Sequence, residues 1–257
     1  MYLICPCHRP EFLREHNLGV ETQLGHHDHQ PDWPQYIPFV RGVHLPYAGL
    51  NLAATDKETR EMSLQRLRQA IDTGCQYPVD RMVIHTIGYE SIEGVPSGSY
   101  DQMISSLQSL ADYAAEKKIM LCVENQVLRE SHIRRVYGSN ATEWLQIYQD
   151  IDRANVLLTL DSSHAATSVA IYETAEERAE RIFDFLRHPE RIGHVHWSDS
   201  RITNNEARFN DMHLVPGQGD LPREFHKALK QLPVIKVLEQ RRSEEEALAG
   251  LKFIESL

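Results

Sequence analysis

The sequence predicts an α/β fold, a single-domain (β/α)8 barrel, on three observations. Eight short β-rich apolar runs alternate with mostly helical stretches, and eight is the strand number that closes such a barrel. The 257 residues suit one barrel domain, and no Ser/Gly tract, charge block or low-complexity run divides them, so residues 1–257 read as one unit. Polar side chains also recur where successive apolar runs end, and barrel enzymes build their sites at that end.

Taken in order, residues 2–6 read as the first strand, 10–17 as a short helix and 18–24 as the second strand. A His- and Pro-rich loop at 25–34 follows where a helix is expected. Residues 41–45 form the third strand; a helix then runs from Asp56, a suitable N-cap, to Thr73, with Gly74 placed to end it. Strand 82–86 leads to a helix at 100–117, with Leu107, Leu110, Ala111 and Ala114 on one stripe. Strand 120–124 precedes a helix at 141–151 started by Asn140. Strand 156–161 precedes one at 175–186, strand 192–197 one at 222–232, and strand 234–239 the closing helix at 244–256.

The formal charge of −10 argues against broad, nonspecific nucleic-acid binding, which needs a basic face. The first residues lack the pattern of a signal peptide and no apolar run reaches the roughly 18 residues of a membrane span, so a cytoplasmic location and no membrane partner are expected. Four cysteines, at 5, 7, 75 and 122, make no disulfide framework, and the Cys5-x-Cys7 spacing is a poor metal or redox motif.

The chemistry gathers at strand ends. His44, His85, Glu124, Asp161, His196 and Glu239 close strands three to eight, and residues 194–220 add further histidines and carboxylates around a Pro-Gly turn. Any one of these is ordinarily a hydrogen-bonded structural group. Six in succession are hard to explain as packing, because buried unpaired imidazoles and carboxylates are costly, whereas a divalent cation satisfies them together.

The ordered set Val-His-Leu-Pro-Tyr-Ala-Gly-Leu-Asn-Leu-Ala at 43–53, Val-Ile-His at 83–85, Val-Glu-Asn at 123–125, Leu-Asp-Ser-Ser-His at 160–164, His-Val-His at 194–196, Pro-Gly-Gln-Gly-Asp at 216–220 and Leu-Glu at 238–239 resembles the xylose isomerase-like TIM-barrel superfamily. That superfamily holds sugar isomerases and epimerases together with type IV apurinic endonucleases. The resemblance runs from about residue 18 to the end and does not choose the reaction.

Similarity to the epimerases implies one divalent ion (Mn, Co, Mg or Zn) on Glu124, Asp161, His196 and Glu239. Glu124 and Glu239 would exchange protons with a sugar or sugar phosphate through a cis-enediolate held on the metal. Glu130, His164 and Arg201 resemble substrate contacts of those enzymes, Arg201 being offset by about one position. Similarity to the endonucleases implies up to three zinc ions. His44, His85 and Glu124 would hold one, Glu124, Asp161, His196 and Glu239 a second, and His164, Asp211 and His213 the third, with Tyr47 near a nucleic acid and phosphodiester cleavage as the reaction.

Two departures favour the isomerase or epimerase over the phosphodiesterase. Gln-Val-Leu-Arg-Glu-Ser-His at 126–132 replaces the Gly-Gln-Gly run of the nucleases, and the segment after the second strand is short and acidic or His-rich rather than basic. A catalytically silent sugar-binding barrel is the third reading. Trp197 suits either a ring for a sugar or a core aromatic, His26, His27 and His29 suit substrate contacts at the mouth or, more readily, a solvated loop, and the Arg134–Arg135 pair suits a phosphate or, more readily, a solvated loop. Barrels of this type often pair, which makes a homodimer one option and leaves the oligomeric state open.

Overall fold

In this computed structural model, which describes residues 2–6, 8–91, 98–128, 134–204, 211–239 and 243–257, eight parallel strands close a barrel. They are β1 (Tyr2–Ile4), β2 (Gly19–Gln23), β3 (Val40–His44), β4 (Arg81–His85), β6 (Met120–Glu124), β8 (Val156–Asp161), β9 (Ile192–Trp197) and β10 (Ile235–Leu238). Pairing of Tyr2 with Lys236 and of Leu3 with Gly19 joins β1 to both β10 and β2 and completes the ring. A small antiparallel pair, β5 (Tyr89–Ser91) with β7 (Arg134–Val136), lies outside the barrel sheet and was not expected from the sequence.

Among the described residues eight α-helices accompany the strands: α1 (Pro10–Glu15), α2 (Lys57–Gly74), α3 (Tyr100–Glu116), α4 (Ala141–Ile151), α5 (Ser162–Val169), α6 (Ala175–Arg181), α7 (Arg223–Gln231) and α8 (Glu244–Glu255). The loop after β2 carries only two short 3-10 turns, Trp33–Gln35 and Ile37–Phe39.

Helix boundaries follow local chemistry. Asp56 accepts from the Thr59 N–H, Asn140 from Glu143, and Ser243 with Glu246 forms a reciprocal capping box. Gly74 plays a different part from the one its position suggests. It is the last residue of α2 with no left-handed turn, and an added Cβ would lie 2.9 Å from Met82 Sδ, so it is there to let α2 close on β4. The sequence reading also misses α5. Its start is signalled by Asp161, whose Oδ1 accepts the His164 N–H at 2.7 Å, but its polar, fully buried sequence lacks the amphipathic stripe of a surface helix.

Period-two alternation sorts each strand into two faces. Outward residues such as Ile84, Val123, Leu160 and Val195 join the helices in the main apolar core, where Trp144 and Phe185 are among the largest fully buried side chains. Leu3, Glu21, Val83, Cys122 and His194 are buried side chains of the barrel strands, and most ligand-type residues stand at or next to the strand ends.

Candidate metal centre

Strand register brings the candidate residues together. His85 pairs with Glu124 across β4 and β6, and Asp161 pairs with His196 across β8 and β9. Among the described residues four overlapping groups result, each with ligand atoms within 4.8 Å of one another: Glu21, His194 and His196; His44, His85 and Glu124; Glu124, Asp161, His196 and Glu239; and Asp161, His164 and His213. Asp211 joins the last, its Oδ2 being 3.0 Å from His213 Nε2 and 3.4 Å from His164 Nε2.

Glu124 is the hub. Its Oε2 is 3.2 Å from His44 Nε2 and 2.9 Å from His85 Nε2, and its Oε1 is 2.9 Å from His196 Nδ1. Glu239 Oε2 approaches the same His196 Nδ1 at 3.1 Å.

Main-chain contacts aim these side chains. His44 Nδ1–H donates to the Leu45 carbonyl at 2.8 Å and His164 Nδ1–H to the Asn125 carbonyl at 2.8 Å, so each presents Nε2 to the cluster. Asn125 also spans β6 and β8, donating to the Asp161 carbonyl at 3.0 Å and accepting the Asp161 N–H at 2.7 Å.

The segment bearing Asp211 and His213 is held from behind by Asp199, which accepts N–H groups from Ser200, Gly217 and Leu221 at 2.8, 2.9 and 3.1 Å. Gly217 has φ of +89°, and a Cβ on Gly219 would collide with the Asp199 carboxylate, so the Pro-Gly-Gln-Gly-Asp run is a carboxylate cradle. Asp220 extends the clamp by accepting the Ile202 N–H at 2.5 Å. The buried Arg178 guanidinium caps the carbonyls of Ile202, Tyr172, Glu173 and Thr203.

The electrostatics suit a cation. Burial pushes the Glu124 carboxyl up, but the charges of His196 and His85 hold it well below the usual carboxylate range. Glu239 is also held low, by His196 and His213 acting against burial. Burial drives Asp161 up to about 7. Burial also disfavours charge on His164, His196 and His213, yet the carboxylates raise all three, His213 to about 9. Protons on the imidazoles thus supply the positive charge that an ion would supply. Asp161 Oδ2, Glu239 Oε2, Asp211 Oδ1 and His213 Nδ1 are buried without a hydrogen bond, which a coordinated cation would remedy. The imidazole and carboxylate donors therefore fit a divalent ion; their chemistry does not select among zinc, manganese, cobalt and magnesium.

Above the cluster lies a cavity of about 400 Å³, also lined by Cys5, Gln23, His27, Tyr47, Met212 and Val237. No Lys or Arg is among its described lining residues. Tyr47 lines the cavity. Trp197 does not: it neighbours the inward-facing His196 and so points out of the barrel, fully buried, donating from Nε1 to His226 Nδ1 at 2.9 Å, where no sugar can reach it. Arg201 does not line the cavity. His27 lines it, whereas His26 and His29 are exposed. Glu130 and Cys7 lie outside the described residues, as do the side chains of Arg134 and Arg135.

The sequence reading did not single out Glu21, which reaches the site from below: its Oε1 is 2.7 Å from His196 Nε2. A carboxylate in the middle of a strand bound for the barrel interior was the available signal.

Fold and site together define a (β/α)8 barrel with an imidazole–carboxylate cluster suited to divalent cations at the carboxyl ends of its strands. Residues 36–257 match the model of the xylose isomerase-like TIM barrel. The chain belongs to that family. It is 29% identical over 240 residues to an uncharacterised protein of Methanocaldococcus jannaschii, MJ1311, covering 88% of this chain and 74% of that one. A second from the same organism, MJ1614, is 24% identical over 198 residues, covering 77% and 68%.

Among solved structures, a D-tagatose 3-epimerase-like protein superposes with a TM-score of 0.75 at 22% identity, covering 100% of this chain and 96% of that one. The TTHB071 protein of Thermus thermophilus, soaked with zinc chloride, gives 0.67 at 21%, covering 99% and 96%. A D-psicose 3-epimerase in the presence of D-fructose gives 0.64 at 16%, covering 91% and 86%. At these identities the likeness is one of fold. No helix among the described residues is long and apolar enough to cross a membrane.

Proposed function

We propose that this chain is a divalent-metal-dependent isomerase or epimerase of a small sugar. The observation that carries the reading is the placement of Glu124 and Glu239 on either side of His196 Nδ1, at 2.9 and 3.1 Å, beside a cavity sized for a monosaccharide. When bound, the cation polarises the substrate carbonyl and its neighbouring hydroxyl, acidifying the hydrogen on the carbon between them.

Both carboxylates are held ionised by the neighbouring imidazoles, so each begins as a proton acceptor. One glutamate removes the proton from that carbon to leave a cis-enediolate; returning it to the adjacent carbon gives the isomer, and delivery to the opposite face by the other glutamate, after it has taken a proton from solvent, gives the epimer. Tyr47 and His27 line the cavity as hydroxyl-binding groups. The absence of Lys and Arg from the described lining favours an unphosphorylated sugar. Two structural neighbours, a D-tagatose 3-epimerase-like protein and a D-psicose 3-epimerase, agree with this reading, with fold similarity as the only warrant.

The test is incubation of metal-loaded protein with a panel of ketoses and aldoses in deuterated water. Solvent deuterium should enter the carbon next to the carbonyl. Failure of exchange with every sugar by protein carrying its metal would overturn the assignment.

A multi-zinc phosphodiesterase acting on abasic DNA or another phosphoester is the second reading, and one observation favours it: all nine positions of a three-ion set converge. With both groups that contain it filled, Glu124 would bridge two ions and have no free oxygen to move a proton. Three zinc ions per chain, with cleavage of an abasic oligonucleotide and no deuterium exchange, would reverse the order of the two readings.

A further inference from the structure

We propose that Glu21 is a positioning residue that fixes which nitrogen of His196 faces the cation site; this rests on the metal-dependent reading above. An ionised carboxylate only accepts hydrogen bonds, so the 2.7 Å contact from Glu21 Oε1 to His196 Nε2 places the imidazole hydrogen on Nε2. Nδ1 is thereby the nitrogen turned to the cluster, 2.9 Å from Glu124, 3.1 Å from Glu239 and 3.8 Å from Asp161, where a bound ion would displace its proton.

His44 and His164 are oriented differently. Both give their Nδ1 hydrogen to a main-chain carbonyl and present Nε2. His196 presents the opposite nitrogen, and its outer partner carries a full charge. A carboxylate behind a coordinating imidazole raises its basicity and locks its ring plane.

The structure holds Glu21 for this role. Its Oε2 lies 2.8 Å from His194 Nε2, so the carboxylate is set between two imidazoles of β9. Glu21 pairs in register with Gly42 on β3, where an added Cβ would come 2.8 Å from Oε2 and 3.1 Å from the Glu21 Cβ. The bare α-carbon of Gly42 makes the room. The 2.7 Å hydrogen bond from His196 Nε2 links Glu21 to the cation site through that imidazole, whereas Glu21 Oε2 and His194 Nε2, 2.8 Å apart, make no hydrogen bond and with His196 form a group that could itself hold an ion; the zinc count in the test separates the two roles.

The test pairs 15N imidazole spectra of zinc-loaded protein with zinc titration against a chromophoric chelator. His196 should be protonated at Nε2 and zinc-bound at Nδ1, and Glu21→Gln should weaken zinc binding about 10- to 100-fold. Zinc on Nε2 of the unmodified protein overturns the proposal without any variant, so the test survives if Glu21→Gln fails to fold. Unchanged affinity in a folded Glu21→Gln overturns it too. Loss of one whole zinc equivalent, with the others held as before, makes Glu21 a ligand and equally overturns it. Absence of zinc binding by the unmodified protein removes both this proposal and the metal-dependent reading, whereas unchanged Glu21→Gln affinity removes this proposal alone.

Discussion

The Tyr47 ring lies flat against the His85 imidazole, centroids 4.4 Å apart and planes 7° apart. This stack fixes the plane of an imidazole whose Nε2 is 2.9 Å from Glu124, and it leaves the tyrosine on the cavity wall. Tyr47→Phe should keep the stack and lose one hydroxyl contact, about 0.5–1.5 kcal/mol, read as a rise in KM of about tenfold or less. Tyr47→Ala should in addition weaken zinc binding by freeing His85. Equal zinc affinity in the alanine variant would show that the stack does not orient the ligand.

Glu239→Gln should slow deuterium exchange by about 10²- to 10⁴-fold, the usual contribution of a placed acid or base. Metal analysis of the same sample checks the cause. A matching loss of metal would mean that Glu239 matters only as a ligand.

The pH dependence follows from the raised groups. His164 and His196 lie above their usual value, with carboxylate charges outweighing burial, and His213 is raised to about 9. In metal-free protein, their protonation contributes stability that is full below about pH 6.5 and is lost as pH rises through 9. Asp161, raised by burial to about 7, changes in the same sense between its unfolded value and 7. The lowered carboxylates act only at acid pH. The melting temperature in EDTA should therefore fall from pH 6.5 to 9, while zinc affinity, which competes with those protons, should rise over the same range. A flat EDTA profile would contradict the charge assignment.

Gly219→Ala should dislodge the Asp199 cradle at a cost of about 1–3 kcal/mol, the usual range for overpacking. Because that cradle carries the Asp211 and His213 segment, the variant should lose metal from the group containing His164 before the group containing Glu239. Metal counting after partial chelation checks the order.

The barrel and its upper ring of polar residues were legible because each strand is a short apolar run whose last inward residue is chemically conspicuous: His44, His85, Glu124, Asp161, His196 and Glu239 are all such residues. Of the two readings open for Trp197, the core aromatic holds and the sugar platform fails, because adjacency to inward-facing His196 puts it on the opposite face of the strand. α5 was hidden by a buried polar sequence, and Glu21 by reading strand ends alone. Gly74 looked like a helix stop because its need is a close approach to Met82, which only the packed structure reveals.

Glu124 offers one oxygen to His44 and His85 and the other to His196, so two coordination groups draw on a single carboxylate. Were both groups to take an ion, loading of one would alter the charge the other receives, and the two ions would not have independent stepwise constants. A calorimetric titration should resolve coupled steps, and buffers that trap a half-loaded form should hold protein whose remaining ion binds with an affinity unlike that in the filled cluster.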